Sequence, residues 1–167
     1  MIRALSIIAR PLAVAALAAM PMGAHAAQIT VRASANVIKP LILSRKQDMT
    51  FGQILLSPAP GTRTVSISQA GILSCGAGLT CSGVTRPAIF NASGTKSQRV
   101  IITAVASDLV SPTGATVRFT PNAPPSVTLA NSGNPGTDFT VGGSITINEN
   151  TPDGLYSGNI ELTADYQ

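Results

Sequence analysis

Gly154-Leu-Tyr-Ser-Gly-Asn-Ile-Glu-Leu-Thr-Ala-Asp-Tyr-Gln167 is the stretch whose reading decides the fold. Tyr156, Ile160, Leu162, Ala164 and Tyr166 share one parity, and Asn159, Glu161, Thr163 and Asp165 share the other. Successive side chains of a strand point to opposite faces, so strict alternation marks a half-buried β-strand. Pro152-Asp153-Gly154 supplies the turn residues that launch it. A strand this regular needs a partner. It sits in a closed sandwich or offers an edge to another chain.

Working outward, the same period recurs at the other end. Ile29, Val31, Ala33, Ala35 and Val37 alternate with Gln28, Thr30, Arg32, Ser34 and Asn36, which predicts a second strand, interrupted at Pro40. Leu41–Ser44 continues it, and Arg45-Lys46-Gln47-Asp48 reads as a solvated turn or edge. Met49–Leu56 is a further strand with Phe51 as its core anchor. Val65 and Ile67 point inward from Thr62–Gln69. Pro87–Asn91 is a short strand ended by a turn at Ala92–Thr95. Gln98–Val105 has a continuous apolar centre, which predicts burial on both faces. Ala115–Thr120, Ser126–Ala130, Asp138–Val141 and Ser144–Asn148 complete the set, with Gly142-Gly143 as a bend between the last two. Many short strands at such intervals, with no helical period, predict an all-β, immunoglobulin-like Greek-key sandwich.

Composition agrees. The chain has 167 residues, 11% charged and 4% aromatic with no Trp, and Gly, Pro and β-branched residues are plentiful. Such a mixture suits strands and turns, and a disordered chain would carry more charge. The first segment reads as a secretory signal peptide over residues 1–26. Arg3 gives it a basic start, Pro11–Met20 an apolar core, and Ala24-His25-Ala26 a small-x-small cleavage site. A membrane anchor is the rival reading, but the run is short and Arg10 interrupts it. Residues 27–167 would then form a single exported domain, in the periplasm, on the surface or outside the cell. Cleavage would leave nine basic residues against seven acidic ones, a formal +2. The basic residues are scattered without interleaved aromatics, so no nucleic-acid partner is expected.

Cys75 and Cys81 lie in Cys-Gly-Ala-Gly-Leu-Thr-Cys. In an oxidising compartment they should close into a disulfide across a local hairpin. The spacing is not that of a redox or metal pair. The single histidine, His25, lies in the cleavage site, so the mature chain cannot assemble a Ser-His-Asp or Cys-His centre. The acids are sparse. No catalytic residue, cofactor site or metal site is expected. Glu149-Asn-Thr-Pro-Asp-Gly154 offers oxygens to calcium but lacks the EF-hand spacing, and a tight turn uses the same residues. Asn91-Ala-Ser93 matches a glycosylation acceptor.

Lys46-Gln-Asp-Met-Thr-Phe-Gly52, Val141-Gly-Gly-Ser-Ile-Thr-Ile147 and the terminal Gly154–Gln167 run resemble the secreted bacterial β-sandwich family called domain of unknown function 4402. The penultimate Tyr166, with Gly154 a dozen residues upstream, is also similar to the end of chaperone–usher pilins and spore-coat-protein-U-like domains. That second resemblance implies an incomplete sandwich, completed by a strand from a periplasmic chaperone and then from the next subunit. It makes Ile29, Val31, Ala33, Ala35 and Val37 a candidate donor strand. Gly154, Tyr156, Ile160, Leu162, Ala164 and Tyr166 become a candidate terminal-strand interface. The expectation is a non-enzymatic surface fibre or coat subunit, assembling as a homo-polymer or with sister subunits. A self-contained monomeric domain and a ligand-binding or adhesin module are the alternatives.

Overall fold

The structure is a computed structural model that describes residues 27–58 and 60–167. The expected signal peptide lies outside the described residues. Two compact units divide the chain, Met1–Ala35 and Asn36–Gln167. Of the first, residues 27–35 are described, and they are exposed and form no strand.

The second unit is all-β. Its strands are β1 Ile42–Gln47, β2 Gln53–Leu56, β3 Arg63–Ile67, β4 Leu73–Cys75, β5 Leu79–Ser82, β6 Ala88–Ser93, β7 Arg99–Val105, β8 Ser107–Val110, β9 Thr116–Asn122, β10 Ser126–Thr128, β11 Thr137–Ile147 and β12 Glu161–Tyr166. All strand pairings are antiparallel. A seven-stranded sheet runs β1-β6-β11-β3-β4, with β9 also on β11 and β8 on β9. The opposing layer is split into a three-stranded sheet, β10-β7-β12, and a two-stranded one, β2-β5.

β11 is the common floor. Phe139, Val141, Gly143, Ile145 and Ile147 all face inward, in unbroken parity over eleven residues. The bend expected at Gly142-Gly143 does not exist, and the two short strands expected around it are one. The glycines serve close packing instead. A side chain on Gly142 would strike the Ile67 carbonyl, and one on Gly143 would strike the Phe119 ring. β7 also departs from expectation. It is buried on one face only, through Val100 and Ile102, while Ile101 is 42% and Val105 52% exposed. Its apolar run reads as two-sided burial, but nothing among the described residues covers the outer face.

Other boundaries shift as well. Ala92, assigned to a turn, is fully buried inside β6. Met49–Gly52 precedes β2 without joining it. β5 and β8, both overlooked in the sequence, are strands. Alternation at Gln28–Val37 produces no strand among the described residues.

Buried residues fall into two clusters. Ala88, Ala92, Val100, Ile102, Leu129, Phe139 and Val141 form one, beneath β7 and β12. Val65, Val117, Phe119, Ile145 and Ile147 form the other. Each fully buried Val, Leu, Ile or Phe side chain among them contributes about 1.5–3 kcal/mol.

Candidate functional site

The second cluster is only partly covered, and its open side is a groove of about 1210 Å³. That exceeds the roughly 300–1,000 Å³ of a small-molecule pocket. One wall is the stretch Asp48–Leu56, including β2. The other is Thr151–Ile160, which leads into β12. Val117, Phe119, Ile145 and Ile147 make an apolar floor. Phe51 packs edge-on against Phe119 with ring centroids 6.2 Å apart. So Phe51 is a wall residue of the groove, half-buried rather than a sealed core anchor.

Among the described residues, β2 in the first wall and β12, into which the second wall leads, each have one edge without a strand partner. β2 hydrogen-bonds to β5 alone in its sheet, and β12 to β7 alone. The Thr151–Ile160 wall is tied to the large sheet through β8, where Val110 and Ser157 exchange N–H···O bonds of 2.8 and 3.1 Å and the Ser107 hydroxyl donates to the Asn159 carbonyl at 3.0 Å. Tyr156 donates its hydroxyl proton to the Pro152 carbonyl at 2.7 Å, which braces the turn. Free strand edges beside an apolar trough are what an added strand requires. Main-chain groups supply hydrogen bonds, and the trough takes alternate side chains.

The candidate terminal-strand interface is therefore divided. Gly154, Tyr156 and Ile160 line the groove. Leu162, Ala164 and Tyr166 pack instead on the closed cluster, beneath β12 itself. The donor candidates Ile29, Val31, Ala33, Ala35 and Val37 are all exposed, Ile29 at 89% and Val37 at 88%. Large β-branched side chains in water carry an unrealised burial free energy.

Cys75 and Cys81 are bonded, as the sequence predicts. They do not close one hairpin, however. β4 pairs with β3 in the large sheet, and β5 pairs with β2 in the groove wall. The disulfide thus ties the wall to the sheet behind it. The glycosylation match also fails sterically. Asn91 is buried in β6, and its amide donates to the Pro135 carbonyl and to Asp138. Glu149 accepts the Gly61 N–H at 2.9 Å, and Asn148 accepts from Asn150 and Thr151, so the Asn148–Gly154 region is a hydrogen-bonded turn. Backbone hydrogen bonds hold the Glu149 carboxyl below its usual range. Among the described residues no three His, Cys, Asp or Glu side chains are grouped to hold a metal, and no helix is long and apolar enough to cross a membrane.

Sequence reasoning missed the trough floor and the roles of Lys39 and Thr95. Tyr166 Oη accepts the Thr95 N–H at 2.9 Å and donates to the Lys39 carbonyl at 2.9 Å. The only signal for this was the penultimate position of the tyrosine.

Fold and groove together define a class: an antiparallel β-sandwich whose second layer, among the described residues, has an opening between β2 and the run into β12. The family model described as a domain of unknown function (DUF4402) matches residues 41–166, and the chain belongs to that family. No curated protein and no solved structure shows significant similarity to it.

Proposed function

We propose that this chain is an exported, non-enzymatic structural protein, a pilin-like subunit of a surface fibre or coat. Its immunoglobulin-like Greek-key sandwich lacks one strand, and assembly supplies that strand from a neighbour by β-augmentation. The carrying observation is the groove between β2 and the run into β12. It has an apolar floor and, among the described residues, a β2 edge with no strand partner, and the same chain carries an exposed alternating segment at residues 29–37. A periplasmic chaperone strand would occupy the same groove during export. The leader-like N-terminus and the Cys75–Cys81 bond support an oxidising compartment. The disulfide-braced wall and the absence of His in residues 27–167 support a structural role.

Val31→Asp tests this. The substitution places a charge on the inward parity of the donor segment, at a residue 80% exposed in the unassembled chain. The folded subunit should keep its far-ultraviolet spectrum and melting temperature, and lose concentration-dependent assembly in sedimentation runs. Unchanged assembly of Val31→Asp would reject the proposal.

A further inference from the structure

We infer that β2 and β5 form a hinged ribbon locked by the Cys75–Cys81 bond, so that reduction of that bond frees one wall of the groove to turn. The inference concerns the groove itself and holds for whatever fills it.

The ribbon is a body of its own. Gln53–Leu56 pairs with Leu79–Ser82, and among the described residues the pair joins no other sheet. A backbone bond from the Ser57 N–H to the Gly78 carbonyl at 3.1 Å closes its end. β2 lines the groove, whereas β5 follows β4 after the turn Gly76-Ala77-Gly78.

β5 is the axis of this ribbon. Gly78 precedes it and Gly83 follows it, at φ 75° and 82°. Gly52, at φ 71°, brings the chain into β2 beside Gly83. Glycine changes backbone angle at little steric cost, and hinges are a few residues at the ends of elements. Beyond these glycines the chain is held. Thr50 and Arg86 exchange two N–H···O bonds of 3.0 Å, and the Gly76 N–H donates to the Thr64 carbonyl at 3.1 Å.

Between its ends the ribbon meets the large sheet in three ways. Ile54, Leu56, Leu79 and Cys81 rest partly buried on the second cluster, an apolar contact with no preferred direction. Arg63 donates to the Ser57 carbonyl at 3.1 Å, at the very end of the ribbon. The third contact is the disulfide, which leaves from the middle. Cys81 stands opposite Ile54 of β2, Cys75 stands opposite Val65 of β3, and Val65 stands opposite Ile145 of β11. The bond therefore links a wall residue to a floor residue through one continuous cross-strand row.

Both cysteines are half-buried, so a small dithiol reaches them. One thiolate of the dithiol attacks a sulfur of the bond and expels the other cysteine as a thiolate, which takes up a proton. The second thiol of the reductant then displaces the first cysteine. Two electrons pass to the protein, Cys75 and Cys81 end as thiols, and the dithiol ends as a disulfide. The link with a fixed direction is then gone from the middle of the ribbon, and β2 turns about β5 over the apolar contact that remains.

The test reads the width of the groove directly. Leu55 and Leu155 are exposed and lie on opposite walls. Leu55→Cys and Leu155→Cys carry maleimide-linked spin labels, whose thioethers survive reduction, on the exported chain with its native bond intact. Electron–electron double resonance should give one narrow distance before dithiol treatment and a broadened distribution after it. Hydrogen exchange at Gln53–Leu56 should quicken while that of β7 stays unchanged. Gly83→Asn should restore part of the narrow distribution in the reduced chain, because Asn tolerates positive φ but moves less freely than Gly, and its Cβ finds ordinary contacts at 3.7 Å. An unchanged distribution on reduction would show that the bond locks nothing. Exchange rising in β7 together with β2 would make the bond a staple of the whole domain and end the hinged-ribbon reading. A Gly83→Asn chain as broad as its parent would remove the axis from β5. None of these readouts uses assembly, so strand exchange and the ribbon stand or fall separately.

Discussion

The two halves of the sandwich bury similar side chains under different covers. Beneath β10-β7-β12, Leu129, Val100 and Val141 are sealed at 1% exposure or less. At the other end Phe119 is equally buried, but its neighbours Phe51, Ile54, Leu56 and Tyr156 are only half-covered and look onto the groove. The closed half has a three-stranded lid, whereas the open half has two short strands and a turn-rich segment held by the Val110–Ser157 bridge and a Ser107–Asn159 hydrogen bond. Interiors of proteins are normally packed to the density of crystals. A trough this large on an apolar floor is therefore an exception to that density, and on the proposal above it is the place an added strand would fill.

The comparison can be broken or sharpened by mutation. Leu129→Ala, in the closed half, should have the largest effect, about 2–5 kcal/mol in denaturant unfolding, because its cavity cannot be relieved by solvent. A loss below 1 kcal/mol would show that this half is not sealed. Replacing Cys75 and Cys81 with Ser should cost roughly 2–3 kcal/mol, since a short loop is released in the unfolded chain. Exchange at the Gln53–Leu56 amides should rise before that of β7, because the bond braces the groove wall. Leu56→Ala should cost only about 1 kcal/mol, as a half-covered side chain forfeits a fraction of the full burial term. Its effect on assembly should exceed its effect on subunit stability, and equal effects would erase the distinction between the halves.

The smallest expected effect concerns acid. Lys46 and Asn91 donate hydrogen bonds to Asp138 and lower its carboxyl below the usual value, at a half-exposed site on the rim of β11. A depressed carboxylate stabilises the fold above its unfolded value, about 3.9, and that contribution disappears as pH falls through the lowered native value. Asp138→Asn should flatten this slope, with little change at neutral pH. Acid titration of the melting temperature reads it, and an unaltered slope would remove Asp138 from the acid response.

Period-2 patterning made much of the fold legible. Val65, Ile67, Leu162, Ala164 and Tyr166 take the facing that alternation predicts, because side-chain parity is a local property. The disulfide was legible from compartment and spacing. What surrounds a strand is not local. Ile101 and Ile102 look alike in sequence, yet only Ile102 is covered. The Gly142-Gly143 pair resembles a bend until Ile67 and Phe119 are seen pressed against it. The groove was invisible for a related reason, since an opening arises from which strands fail to pair. The alternation of Ile29–Val37 was legible, but sequence could not say that its apolar face is exposed.

β11 has a consequence for how such sequences can drift. Its inward residues support both halves, and its two central glycines admit no side chain without moving Ile67 or Phe119. Outward positions such as Thr140, Ser144 and Thr146 are free to be exchanged, and the turns beyond the strand ends are free to lengthen. Descendants of this sequence can therefore vary at rim and surface, while Gly142 and Gly143 remain the fixed point from which both halves of the sheet keep their register.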